Sequence, residues 1–327
     1  FRRVLFRSAK AINLIDITNY SIKNIKKVIN DIKIDIAIDL KGFTKNSRPE
    51  IFYNRIAPVQ INYLGHPGTL GPNHCDYIIG DKIVIPEHLK NYYFKKIIYL
   101  PNSYQVNDDK QKFNKTEIDR SMLGLDKNHF LIGCFNSTHK ITPDIFKSWM
   151  KILQNIKNSL IILLTENNLA KENLKKELLK NNISEERLIF WKKVKLEEHL
   201  SRLKNIDLFL DTYPYNAHTT ANDALFAEVP IITLIGETFA SRVASSLLNA
   251  LDLNELICNN LEEYEKLAIM LGNDKEKLTK IKNKLKINKN KKDLFKTKIF
   301  TENIEKAYIQ VYDRYKNNLP PDHIYII

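Results

Sequence analysis

Short apolar runs alternate with helix-like stretches along nearly the whole chain, and this limits the fold more than any other feature. A strand is expected at 12–15, a helix at 21–29, a strand at 34–40 and a short helix near 49–54. Strands at 59–64, 77–79 and 97–100 follow, each too short for a buried helix and bounded by turn residues. A second, longer series begins at Phe130, with strands at 130–135, 160–164, 188–190, 206–210 and 231–234. Helices at 142–156, 169–179, 196–203 and 219–227 separate them, and 238–251 reads as a further helix. Thr142 stands at the cap position of the first of these and Pro143 at its first helical residue. Strands apolar on both faces and spaced by helices call for parallel sheets with crossover helices, so the class is α/β in two domains. The polar, turn-rich segment 102–117 between the series reads as an interdomain linker. Beyond 261 the chain is helical and Lys-rich, ending in a helix at 298–315 whose Ile299, Ile304, Tyr308 and Tyr312 make a packing face.

In such folds ligands bind beyond the carboxyl ends of the strands, in the cleft between domains. The stretch Asp211-Thr-Tyr-Pro-Tyr215-Asn-Ala-His218-Thr219-Thr220-Ala-Asn-Asp223 lies at such an end. Thr219 and Thr220 fall where a helix begins, and their amides have no intrahelical acceptor; with the helix dipole they suit a phosphate. Asp223 is one turn on and shares a face with Thr219, placed to accept from a sugar hydroxyl. His218 at the helix mouth is suited to donate to a phosphate or leaving group. An ordinary helix start with a solvated Asp fits the same spacing, and these residues alone leave the two readings level. Lys140 after the strand 130–135, and His199 and Arg202 after 188–190, face the same edge, which favours the pocket.

The net charge of +13 invites a nucleic-acid partner, but only ten of the 51 basic residues are Arg and the lysines are dispersed. With no recognisable nucleic-acid module, that excess follows an Ile/Asn/Lys-rich, AT-biased composition rather than a binding surface. No apolar run reaches the roughly 20 residues of a membrane span. Cys75, Cys134 and Cys258 lack metal-ligand spacing and read as reduced thiols of a cytoplasmic protein. Residues 1–8 hold three of the ten arginines and back-translate to the end of a sequencing adapter, so they read as an artefact ahead of a truncated frame.

Five motifs in order carry a family resemblance: Leu64-Gly65-His66-Pro67-Gly68-Thr69, Phe135-Asn-Ser137-Thr-His-Lys140-Ile-Thr-Pro143, Glu197-Glu-His199, His218-Thr219-Thr220-Ala-Asn-Asp223 and Gly236-Glu-Thr-Phe-Ala-Ser-Arg-Val243. From about residue 12 onward the chain resembles the catalytic region of the O-linked N-acetylglucosamine transferase family, including its bacterial and Spindly-like members. The resemblance implies a GT-B fold: two Rossmann-like domains facing a cleft, an incomplete N-terminal one at 9–117, a nucleotide-sugar-binding one at 118–297, and a C-terminal helix and tail at 298–327. It implies an inverting, metal-independent transfer of N-acetylglucosamine from a UDP-sugar to a Ser or Thr hydroxyl of an acceptor protein or peptide, with no cofactor. Lys140 is then the diphosphate contact, with Ser137 beside it, and Lys140 and His218 are the catalytic pair. Thr219 and Thr220 hold phosphate and Asp223 holds ribose. Val194, Lys195, Leu196, His199 and Arg202 form the uridine side, and Leu64, Gly65, Pro67 and Tyr215 border the donor sugar.

Three positions depart from the animal enzymes of that family. Ser137 replaces a longer Gln, Leu196 replaces a Lys that touches ribose, and Tyr215 replaces a Cys beside the N-acetyl group, where a phenol narrows the pocket or admits another sugar. The family's upstream segment, with its histidines, its candidate base and the preceding tetratricopeptide repeats, has no counterpart here, and His66, His74 and His88 do not match those motifs. The chain is therefore expected to bind nucleotide weakly and turn over little. Another donor (UDP-glucose or GDP-fucose), a non-protein acceptor, an epimerase, or a non-catalytic nucleotide-binding scaffold are the competing readings.

Overall fold

The computed structural model describes residues 13–327, so the reading of residues 1–8 lies outside the described residues. The first lobe runs α1 (Ile22–Ile32), β1 (Ile36–Asp39), α2 (Glu50–Tyr53), β2 (Val59–Asn62), β3 (Tyr77–Gly80) and β4 (Lys96–Tyr99). The second runs β5 (Phe130–Cys134), α3 (Pro143–Asn155), β6 (Ser159–Leu164), α4 (Asn168–Lys180), β7 (Leu188–Trp191), α5 (Leu196–Leu203), β8 (Leu208–Leu210), α6 (Thr219–Phe226), β9 (Ile231–Leu234), α7 (Val243–Ala250) and β10 (Ile257–Cys258). Then come α8 (Leu261–Asn273), α9 (Lys275–Lys291), α10 (Thr297–Lys316) and β11 (Ile324–Tyr325).

Every strand pairing among the described residues is parallel, as the apolar runs alternating with helices required. The first sheet has the order β1-β2-β3-β4-β11 and the second β10-β9-β8-β5-β6-β7. Ile132, Ile162, Phe209 and Trp149 anchor the core of the second lobe, and Ile61, Ile78 and Ile98 that of the first. Helix starts follow their caps. Ser21 accepts from the Asn24 amide, and Thr142 from the Ile145 amide with Pro143 just inside the helix.

Three expectations need correction: the strand at 12–15, the unbroken helix at 238–251, and Ile299 on the packing face of the last helix. Residues 13–15 form no strand, since Leu14 and Ile15 are exposed and β1 is itself the sheet edge. The helix expected at 238–251 breaks at Arg242 into a short turn, Phe239–Ser241, and α7. Arg242 leaves the helix there to donate to the Ile83 carbonyl (2.5 Å) of the other lobe and to Gly236 (2.6 Å). The chain end returns to the first lobe: β11 pairs with β4, and α10 buries Ala307 and Val311 against that sheet. Phe300, Ile304, Tyr308 and Tyr312 flank that face, while Ile299 lies off it beside Leu100 and Leu294.

The segment 102–117 has no regular structure, yet it is no free tether. Tyr104 is buried and its amide donates to Asp81; the Asn107 side chain donates to the Leu294 carbonyl (3.0 Å), and the Asn114 amide to Ser201 (2.7 Å). Asp81 is sealed at the joint between lobes, where it also accepts from Ser246 of α7 (2.7 Å), and burial raises its pKa. Tyr104 meets Phe239 edge to face at 4.8 Å. These contacts make the segment part of the joint between the two lobes.

Candidate functional site

From β5 the chain crosses outward to β6 and β7, then returns to β8 on the opposite flank of β5. Beyond the carboxyl ends of β5 and β8 the connections part to opposite sides, which is where open α/β sheets hold their ligands. Asn136 closes the gap, donating to Thr212 (2.7 Å) and Asp211 (3.2 Å) and accepting a short bond from the Thr220 hydroxyl. The loop 212–218 is shaped by one carboxylate. Asp211 accepts from the amides of Thr212 (2.8 Å) and Ala217 (2.6 Å) and from the Thr233 hydroxyl (2.7 Å). Complete burial pushes Asp211 up to about 6 in spite of these bonds.

Lys140 and the α6 start meet on that loop. The Lys140 ammonium donates to the Asn216 carbonyl (2.9 Å) and lies 4.0 Å from the centre of the Tyr215 ring, which stacks on His218 at 5.0 Å. Burial lowers the Lys140 pKa and the nearby Asp211 raises it in part. The amides of Thr219 and Thr220 donate to no acceptor among the described residues. An ammonium and two open amides therefore flank one loop, a donor set for an anion.

His218 is pushed down to about 3, by burial first and the Lys140 charge second, so the ring is neutral at pH 7. A ring hydrogen bond to the Ala240 backbone opposes the shift, and Nε2 is buried without a partner. With the other nitrogen protonated toward that carbonyl, Nε2 presents an acceptor; donating to a phosphate requires the other tautomer or a proton.

A cavity of about 370 Å³ opens beside this loop, lined by Leu64 and Gly65 of the first lobe, His218, Thr219, Asn222 and Asp223 of the second, and Gln105, Asn107, Asp108 and Gln111 of the connector. Gly65 stands where a Cβ would come within 2.1 Å of the Leu40 carbonyl. Gly65→Ala is thus expected to cost roughly 2–3 kcal/mol and to push the turn into the cavity. A thermal melt several degrees below wild type checks it, and an unchanged melt would refute the close approach. Leu64 sits at φ 68, left-handed for a non-glycine, so backbone strain is held at this wall.

Asp223 is 8% exposed and its carboxylate makes no hydrogen bond or ion pair with the described residues; burial raises its pKa to about 6. A raised acid pKa means the folded chain holds the proton more tightly than the unfolded one. Its contribution to stability therefore falls as pH rises from about 4 to about 6, and the deficit is complete above that. Asp223→Asn should make the free chain more stable at pH 7 by about 1–3 kcal/mol and flatten that pH dependence, read by denaturant titration at pH 5 and 7. A destabilised variant at pH 7 would sink this assignment.

The uridine-side residues are placed differently. His199 packs edge to face on Phe135 at 5.3 Å and is pushed down to about 4 by burial, then by Arg202. Arg202 is buried with its guanidinium 4.7 Å from the centre of the Trp191 ring, and it donates to the Lys192 carbonyl. It lies behind the site rather than lining the cavity. Val194 and Pro67 are half-buried, and Ser137, Lys195 and Leu196 are exposed; none of these lines the cavity. Tyr215, expected beside the donor sugar, packs between Lys140 and His218 and does not line the cavity. Sequence reasoning missed the connector residues and Asn222. Their one sequence signal was the length of 102–117, since a long unstructured loop inside a compact chain is often functional.

The model of Glycosyl transferase family 41 matches residues 1–119 and 115–304. An Arabidopsis thaliana relative described as "Probable UDP-N-acetylglucosamine--peptide N-acetylglucosaminyltransferase SEC" is 35% identical over 98% of this chain and 33% of its own length. A Caenorhabditis elegans UDP-N-acetylglucosamine–peptide N-acetylglucosaminyltransferase is 26% identical over 92% of this chain and 36% of its own length. Among solved structures, a lysine-to-methionine mutant of the Thermobaculum terrenum O-GlcNAc transferase superposes with a TM-score of 0.82 at 26% identity, covering 93% of this chain and 58% of that one. The Anabaena protein HepE, solved with UDP, shares the fold at a TM-score of 0.59 and 13% identity, covering 87% of this chain and 82% of that one. The chain spans about a third of the length of these curated relatives.

Proposed function

This chain belongs to glycosyltransferase family 41, and from that membership we propose that it forms the nucleotide-sugar site of an inverting transferase that moves N-acetylglucosamine from a UDP-sugar to a protein Ser or Thr hydroxyl. The observation that carries this reading is the meeting of Lys140 with the open amides of Thr219 and Thr220 on one loop, next to a cavity that holds the unpartnered Asp223. In the proposed reaction the acceptor oxygen bonds to the anomeric carbon from the face opposite the diphosphate. The bond from that carbon to the phosphate oxygen breaks with its electron pair, and the hydroxyl proton passes to a base. Lys140 and the α6 amides take up the charge growing on the departing diphosphate, so the transfer needs no metal ion and no cofactor. Asp223 accepts from ribose hydroxyls, and the face formed by Val194, Lys195, Leu196, His199 and Arg202 receives the base, His199 by its ring and Arg202 by backing it.

The relatives' greater length supports placing this chain within a longer protein, with tetratricopeptide repeats elsewhere in it recruiting acceptors. Among the described residues no helix is long and apolar enough to cross a membrane. All three cysteines are free and buried, which supports a reducing, cytoplasmic setting. Calorimetric competition of UDP against GDP tests the donor. UDP should bind at least tenfold tighter, and a preference for GDP would replace the donor proposed here with a GDP-sugar.

A further inference from the structure

We propose that Gln105 and Gln111, on the connector between the lobes, read the hydroxyl groups of the transferred hexose and so set donor specificity. This rests on the nucleotide-sugar reading above and assigns residues that none of the family motifs contains. The cavity has three walls of different chemistry. His218 and Thr219 bring the α6 start with its open amide to one wall, and the Lys140 ammonium lies next to that wall on the 212–218 loop. Leu64 and Gly65 offer backbone and an apolar side chain, and the connector closes the third side with Gln105, Asn107, Asp108 and Gln111.

Gln105 is 7% exposed and its Oε1 is sealed from solvent with no partner. Gln111 Oε1 is in the same state, as is Oδ1 of Asn222, a residue 3% exposed on the facing helix. Three amide oxygens of one cavity are thus both buried and unsatisfied, where a folded protein leaves very few such atoms. The backbone around Gln105 is tied down, while the side-chain amides of both glutamines make no hydrogen bond among the described residues. The Gln105 amide nitrogen of the main chain donates to Ser103, its carbonyl accepts from Asn107, and Asn107 is held in turn by the Leu294 carbonyl. Rigid backbone carrying unengaged side chains is what a ligand-reading surface requires.

The ligand chemistry follows from these groups. Carboxamides both accept and donate, as hydroxyls do, whereas phosphate oxygens at neutral pH only accept. The Asp223 and Asp108 carboxylates on the cavity lining disfavour an anion there, so the diphosphate is directed to Lys140 and the hydroxyl-bearing part of the donor to the connector. Asp223 lies on α6 and serves the ribose in the proposed pose. The connector glutamines share the cavity lining with Leu64 and Gly65, the pair that the family resemblance sets beside the donor sugar, and the proposal assigns them to the transferred ring on that ground.

The test is calorimetry of UDP and UDP-N-acetylglucosamine with the chain and with Gln105→Leu, Gln111→Leu and the double variant. Gln105→Met and Gln111→Met repeat it with a shape closer to glutamine should leucine disturb the fold. Because neither side-chain amide holds any protein group, the Tm of the free variants should stay level or rise. UDP affinity should remain within twofold, while UDP-N-acetylglucosamine weakens about tenfold per residue, the cost of a lost neutral hydrogen bond in a closed site. Equal weakening of both ligands would assign the amides to the ribose and overturn the proposal, and so would unchanged binding of the sugar nucleotide. Failure of the unaltered chain to bind UDP would bring down the nucleotide-site reading itself, a result visible before any substitution is made.

Discussion

Lys140→Met is expected to weaken UDP binding about 10- to 100-fold and, in the full-length protein, to slow transfer by a further two to three orders of magnitude. The first effect is the loss of a charge-assisted bond to phosphate. The second arises because the leaving diphosphate carries more charge in the transition state than in the ground state, so the ammonium matters most there. Methionine keeps the length of the chain that lies against Tyr215 but leaves the Asn216 carbonyl without its donor. Asn216 is fully buried, so a modest loss of stability, about 1 kcal/mol, accompanies the substitution. The discriminating comparison is UDP against uridine. Affinity for UDP should collapse while that for uridine changes little; a parallel loss of both would mean that Lys140 acts by shaping the site rather than by holding phosphate.

Asp211→Ala should produce the largest loss of stability, on the order of 3–5 kcal/mol, because it strands buried donors rather than deleting a surface contact. Three donors meet at one carboxylate oxygen, the Thr212 and Ala217 amides and the Asn136 side chain, and Thr233 donates to the other. Its own carbonyl accepts from Tyr264 (2.9 Å), whose hydroxyl also accepts from the Trp149 indole (3.1 Å), so the site is braced against the core of the lobe. A melt lower by roughly 10 °C is the expected result for a lobe of this size. Asp211→Asn is the informative partner: its oxygen serves the same three donors, its amide donates to the Thr233 hydroxyl, and the buried charge is gone. It should fold within about 1 kcal/mol of wild type. If the alanine variant melts like wild type, or asparagine falls as far as alanine, the carboxylate does not organise the loop.

The open-amide side of the candidate site was legible from local pattern. A strand ending at Leu210, a turn with Pro214, and a helix starting at Thr219 give open amides whatever lies around them. Lys140 was readable for the same reason, since it follows the neighbouring strand through a short turn. The packing of Arg202 on Trp191 was not readable, because sequence position fixes the helix but not the side chain, and Trp191 offered the guanidinium a buried face. The connector was read as a linker because polar, turn-rich composition describes a tether and a cleft lining equally well. What distinguishes them is burial, and Gln105 and Asn107 gain it from residues of the far lobe and from Leu294.

The sequence by itself determined the elements, the parallel sense of both sheets, and the chemistry offered at the end of each strand, because hydrophobic period, caps and turn residues act over a few residues. Tertiary structure alone decided the return of residues 297–327 to the first sheet, the break at Arg242, and the set of side chains that close the cavity. The first two depend on partners more than 150 residues away in the chain and the cavity on segments from both lobes, whose contribution is burial and a specific acceptor, and no local pattern carries that information.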